Sequence, residues 1–365
     1  MRTGFSIIMI IHGLIHLLGF IKAFDITPVA QLKREISPQN GFFWGLAVVL
    51  FILAAVLCIL KNDIWWIVAT FAVLTSQILI FQQWGDARFG TIANLVILIG
   101  IVYGLANWSF QHTSISVTQE KIISDARGGK LLTIPETLPA SVKQWLVFSN
   151  IAGTVVPATV EVDQAGQMKI SESGDWMPFS SHQVFSIEPP GFIWSADVGN
   201  SLMNFRGRDL FSGGDGEMLI KVYGIYPAVH ATGDQMNQAT AIRFLSEIIW
   251  LPWAAVQNYI SWEEIDDQKV KASFHWNDTG GFGIFTFDEM GRPVKFEAKR
   301  YYQRDQGASL ENWVVDIDPQ SYEAFSGVLI PTRASVSWEL ESGLWNWLQL
   351  EITDVVFQEN VEKLN

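Results

Sequence analysis

Apolar residues follow two different rhythms along this chain. Between residues 4 and 108 they run almost unbroken in four stretches, roughly 4–21, 42–60, 64–81 and 91–108. Each approaches or reaches the ~18–20 residues needed to cross a hydrocarbon core ~30 Å thick, so the pattern predicts four transmembrane helices. The first stretch does not read as a cleaved signal peptide, because three more spans follow it and no small-residue cleavage pattern precedes Phe24.

Residues 111–137 are polar and without sustained period, which reads as a linker between a transmembrane domain (1–110) and a second domain (138–365). PASVKQWLVFSN, residues 139–150, reads as a short amphipathic helix. Beyond it the rhythm is that of strands: Leu348, Leu350 and Ile352 alternate with Gln349, Glu351 and Thr353, and SGGDG, NDTGG, DEMGR and ESG separate successive runs. Short turns between successive strands predict an antiparallel meander. One helix interrupts it, DQMNQATAIRFLSEIIW (234–250), with Asp234 placed to cap its first turn and Pro252 to end it.

The predicted fold class is therefore α+β: a four-helix transmembrane bundle followed by a curved antiparallel sheet. One helix of about four turns is a small cover for a sheet of roughly ten strands, so the sheet should curl over it as a half-barrel. Such a shape either leaves a groove for an apolar ligand between sheet and helix or closes as a packed core.

Charge separates the two parts further. Residues 1–110 hold six Lys/Arg and four Asp/Glu, leaving 18 and 33 for the rest, a balance of −15 within a total of −13. A domain that acidic is a poor partner for nucleic acid or anionic head groups by long-range attraction. The single cysteine, Cys58, lies in the second span and excludes disulfides within the chain. Loops 22–41 and 83–90 carry Lys22, Lys33, Arg34 and Arg88, against Arg2 and Lys61 on the other side; by the positive-inside rule this places both termini outside the cytoplasm.

Several ordered motifs carry a resemblance. QWLVFSNIAG, DWMPFSSHQVFSIEPPGFIWSADV, GEMLIKVYGIYPAV, IRFLSEIIWLPWAAV, FTFDEMGRPVKFEAKRYY and GVLIPTRASVSWEL, preceded by IHGLIHLLGFIKAF and QWGDARFGTIAN, together resemble an uncharacterised bacterial family with a domain of unknown function. The resemblance spans essentially the whole chain and brings no activity with it. It implies a bacterial cytoplasmic (inner) membrane location, with membrane lipids as surroundings.

Two groups of residues could carry chemistry. His12 and His16, four apart on one face of the first span, fall toward the same membrane side as Gln77 and Asn94, close to the loop that bears Asp86. This intramembrane polar cluster is open to a metal site, a proton or ion path, or hydrogen bonding that holds the helices together. Haem is disfavoured because no other span offers an axial histidine. In the second domain, alternation turns Arg300 inward with Val294, Phe296, Ala298 and Tyr302, and Asp209 inward with Met203, Phe205 and Phe211. Arg243 and Glu247, at i,i+4 on the covering helix, face them. Buried charges must be paired, so Asp209, Arg243, Glu247 and Arg300 are expected to form one ionic network, with Arg300 paired to Asp209 or Glu247.

GxSxG, HExxH, a phosphate-binding GxxxxGK[ST] and a strand-to-helix GxGxxG are all missing, and His182, His230 and His275 lack metal-ligand spacing. The sequence thus names no metal or cofactor and no catalytic set. It supports a multi-pass membrane protein whose half-barrel binds a hydrophobic or amphipathic ligand. An enzyme using the buried Asp/Arg/Glu set, or a structural or assembly protein, are the alternatives.

Overall fold

A computed structural model describes residues 2–200, 203–304 and 307–359. They form two compact units, Met1–Gln111 and His112–Asn365. Ser201 and Leu202, which the pattern places at the start of a strand, lie outside the described residues.

The first unit is helical. α1 (Arg2–Ile15) and α2 (Leu17–Ala23) make the first span, and the bond from His16 N–H to the Gly13 carbonyl tightens the chain between them. α3 (Pro38–Ile59) starts at Ser37, whose hydroxyl accepts from the Asn40 N–H, with proline at the first helical position. α4 (Trp65–Gln82), the short α5 (Trp84–Ala87) and α6 (Gly90–Ser109) follow. Four helical segments are long and apolar enough to cross a membrane. Small residues line their contacts: Ala47, Ala54, Ala55, Ala69 and Ala72 are fully buried, and a Cβ on Gly19 would lie 2.1 Å from the Trp44 ring. Helices gain no hydrophobic advantage from each other in lipid, so close backbone approach through small side chains does the work. Phe42, Phe71, Phe81 and Ile99 point outward and exposed, as lipid contact requires.

The fourth span does not stop where its apolar run does. A π-turn over Phe110–Ser116 and α7 (Val117–Asp125) continue it, so much of the stretch read as linker is helical. Polar composition ends the membrane run, but no glycine or proline breaks the helix before the Gly128-Gly129 pair.

The second unit opens with α8 (Ala140–Phe148) and six strands: β1 (Thr159–Met168), β2 (Met177–Ser186), β3 (Gly191–Gly199), β4 (Asn204–Ser212), β5 (Asp215–Val222) and β6 (Tyr226–Ala231). α9 (Asp234–Glu247) leads to β7 (Ile260–Glu264), β8 (Lys269–Trp276), β9 (Thr279–Phe287), β10 (Pro293–Arg304) and β11 (Gly307–Ile317). A separate hairpin of β12 (Tyr322–Phe325) and β13 (Val328–Pro331) precedes β14 (Arg333–Leu340) and β15 (Gly343–Gln358). Thirteen strands form one antiparallel sheet in the order β6-β5-β4-β3-β2-β1-β15-β14-β11-β10-β9-β8-β7.

That order explains the curl. β1 and β15 pair at the centre, and α9 joins the two edge strands β6 and β7. A flat sheet of this width would hold its edges roughly 58 Å apart, whereas α9, with 14 residues and a length of only about 21 Å, packs against strands of both arms. The edges are therefore drawn toward one another and the sheet becomes a half-barrel with α9 inside. α9 packs mainly on β4 and β5 on one arm and on β8, β9 and β10 on the other. Two glycines permit this: a Cβ on Gly216 of β5 would lie 2.2 Å from Thr240 Oγ1, and one on Gly281 of β9 would lie 2.6 Å from Ile242 Cδ1.

The ends of α9 differ from expectation in detail. Gly233 takes the N-cap position and Asp234 lies in the first turn, where its charge suits the helix dipole. Pro252 opens a second short 3₁₀ turn, Pro252–Val256, after the first at Ile248–Trp250. These turns carry Trp250, Leu251 and Trp253 into the core, where Phe185, Phe192, Phe211, Phe244 and Phe274 also pack. Much of the concave space is thus filled by protein. On the outer face α7 packs against β2 and β3, and the guanidinium of Arg208 donates to the Ser114 carbonyl at 2.9 Å and pairs with Glu217.

Candidate functional site

A polar band crosses the concave face beside α9. Strand alternation and register bring Gln183 of β2, Trp194 of β3 and Asp209 of β4 into one inward-facing row, with Gln164 of β1 on the same face one step along, opposite Ser181. Above the row, Arg243 donates through Nη1 to Asp209 Oδ2 at 2.5 Å and through Nε to Glu247 Oε1 at 2.8 Å. Gln183 Nε2 donates to the other oxygen of Glu247 at 2.7 Å, and Gln164 Nε2 donates to Gln183 Oε1 at 3.2 Å. Ser181 Oγ and Trp194 Nε1 both donate to Gln164 Oε1. The Arg243 guanidinium also lies over the Trp194 ring, 4.8 Å from its centroid. Asp209 and Glu247 are buried, at 5% and 9% exposure. Burial pushes both carboxyls up from their ordinary range, and the charge of Arg243 opposes that shift.

Arg300 is buried as well, yet it stands apart from these pairs. Its Nε donates to the Ala239 carbonyl at 3.0 Å, and its guanidinium stacks on Trp313 and Trp338, at 4.9 and 5.8 Å from the ring centroids. Among the described residues it makes no ion pair. The expected partner role belongs to Arg243, because α9 lies between β10 and β4 and puts its own cation next to Asp209. Asp209 and Glu247 reach Arg300 only at longer range, and burial followed by the charge of Arg243 lowers its pKa to about 10.

Gln164, Ser181 and Gln183 are members of the band that the sequence reading missed. Alternation contains their signal, since Gln183 shares a face with Phe179 and Phe185, and Gln164 with Val160 and Val162. A cleft of about 500 Å³ lies elsewhere, on the outer face of the central strands, lined by Gln167, Asp316, Arg333, Gln349 and Glu351 among others. It is open and does not touch the buried charges.

In the first unit, His12, His16, Gln77 and Asn94 share one hydrogen-bonded cluster. His12 Nε2 lies 2.9 Å from Asn94 Oδ1, His16 Nε2 lies 2.9 Å from Ser76 Oγ, and His16 Nδ1 donates to the His12 carbonyl at 2.9 Å. Asn94 Nδ2 donates to Ser76 Oγ and to Gln77 Oε1, both at 3.0 Å. Ser76, absent from the sequence reading, is the hub; it lies on the same stripe of α4 as Ala69, Ala72 and Leu79. Asp86 is engaged elsewhere, accepting from the backbone N–H groups of Lys33 and Arg34, which hold its carboxyl below the ordinary range. Neighbours of this kind suit interhelical hydrogen bonding. His16→Gln should leave the protein folded in the membrane, while His16→Leu should cost about 1 kcal/mol in unfolding assays. Stoichiometric metal in the wild type that disappears in His16→Gln would contradict a hydrogen-bonding role.

Four membrane-length helices and a half-barrel bridged by one internal helix define a membrane protein with a separate antiparallel β domain. The chain belongs to the family of unknown function DUF6920, whose model matches residues 136–357. No curated protein and no solved structure matches it.

Proposed function

We propose that this protein holds a hydrophobic or amphipathic ligand, a membrane lipid, on the part of the concave face that α9 leaves uncovered. The supporting observation is the state of four inward-facing apolar side chains. Met168, Met177, Phe205 and Leu348 lie on β1, β2, β4 and β15, on the concave side, yet all four are only partly buried. Apolar side chains on the inner face of a sheet ordinarily find cover, and here an apolar tail would supply it. The polar band lies on the same face of β1, β2 and β4, further along those strands. Its carboxylates are committed to Arg243 and Gln183, which favours positioning over proton transfer.

Mass spectrometry of lipids copurifying with the full chain tests this reading. A defined lipid class at constant stoichiometry is expected. A lipid content matching that of the bulk membrane would favour an assembly role instead. The charges of the short loops further support a second unit outside the cytoplasm. A reporter active only in the cytoplasm, fused after Asn365, should stay dark, and strong signal would reverse the orientation.

A further inference from the structure

Arg300 is a buried cation with unused donors. A guanidinium carries five N–H groups; Arg300 spends the one on Nε on the Ala239 carbonyl, and among the described residues its terminal nitrogens have no hydrogen-bond partner. The residue is only 6% exposed. Every carboxylate in the neighbourhood is otherwise engaged. Asp209 and Glu247 bind Arg243, and Glu311, opposite Arg300 in the β10–β11 ladder, accepts from Ser309 Oγ at 2.7 Å. The Asp209, Arg243 and Glu247 group carries one net negative charge, which balances Arg300 at a distance but offers its terminal nitrogens no acceptor. A second buried donor in the same patch, Trp313 Nε1, also lacks a partner. Next to the guanidinium lies an aromatic cluster in which the Tyr302 ring is 5.0 Å from Trp338 and 6.0 Å from Trp345.

We propose that Arg300 anchors the head group of an anionic amphiphile, a fatty carboxylate, whose two oxygens meet the terminal guanidinium nitrogens while the acyl chain runs along Tyr302, Trp338 and Trp345. This rests on the reading that the concave face holds an amphiphile. A guanidinium matches a carboxylate in a planar, two-bond geometry. The Trp313 and Trp338 rings beside it favour a flat head group over a tetrahedral one.

The test uses the full chain in a nonionic detergent with two fluorescent probes, dansyl-undecanoic acid and its methyl ester, which share a tail and differ in charge. The wild type should bind the acid about tenfold or more tightly than the ester. Arg300→Gln should erase that preference and leave ester affinity unchanged, and Arg300→Lys should retain part of it. Acid and ester binding alike to the wild type would overturn the anchor while leaving the amphiphile reading intact. Failure of both probes to bind would remove the amphiphile reading itself. A preference that survives in Arg300→Gln would place the anchor elsewhere. Displacement by dodecyl phosphate at lower concentration than by lauric acid would overturn the carboxylate assignment. If Arg300→Gln does not fold, an acid preference in Arg300→Lys equal to that of the wild type would likewise place the anchor elsewhere.

Discussion

Replacing Arg243 with methionine should lower the unfolding free energy of the second unit by about 3–5 kcal/mol, because it strands two buried carboxylates at once. Asp209 and Glu247 both depend on this one guanidinium, at 2.5 and 2.8 Å. The loss should be read from urea unfolding of the full chain in detergent, followed by tryptophan fluorescence. A triple variant that also carries Asp209→Leu and Glu247→Leu should recover much of the stability, since an apolar replacement of a whole buried ion group often costs little. Arg300→Ala should cost less than Arg243→Met because it strands no carboxylate. Equal losses at the two positions would make Arg300 a partner in the ion pairs after all, against the observed geometry.

Gly216→Ala should be a strongly damaging methyl addition at the contact between sheet and α9. The added Cβ would lie 2.2 Å from Thr240 Oγ1 and 2.6 Å from the Met236 carbonyl oxygen. The hydroxyl could rotate aside, but the carbonyl belongs to the α9 backbone and moves only with the helix. Overpacking of this kind costs about 3 kcal/mol, the upper end of the usual range. Gly207→Ala is the matched control: it also faces inward, on neighbouring β4, and its Cβ would meet nothing closer than Trp194 Cζ3 at 3.4 Å. Urea midpoints should separate the two variants clearly. Equal midpoints would mean that α9 is free to lift from β5.

Much of this architecture is legible one residue at a time. Membrane-length apolar runs have few structural alternatives, because an unpaired backbone in lipid is so costly that the run must be helical. Period-two alternation likewise decided which face of each strand turns inward, and thereby that Asp209 and Arg300 would be buried. It also pointed to Gln164 and Gln183, although an inward glutamine attracts less notice than an inward charge.

What alternation could not decide was partnership. Asp209 and Arg300 share an inward face, but which cation meets which anion depends on where α9 lies across a sheet of thirteen strands, and that follows from the β1–β15 pairing at its centre. The same holds in the membrane unit, where depth counting grouped His16, Gln77 and Asn94 but could not reveal Ser76 as their common partner, because helix rotation is set by the packing of small residues between spans. The linker is the opposite case: its polar composition is plain in the sequence, yet composition reports only where a helix leaves the apolar phase. The helix itself runs on through polar residues to Asp125, because none of them is a glycine or proline. Local sequence thus determined element type, membrane passage and facing, each governed by a short period. Pairing across the sheet, and with it the isolation of Arg300, was decided by contacts between residues far apart in the chain, for which no short period exists.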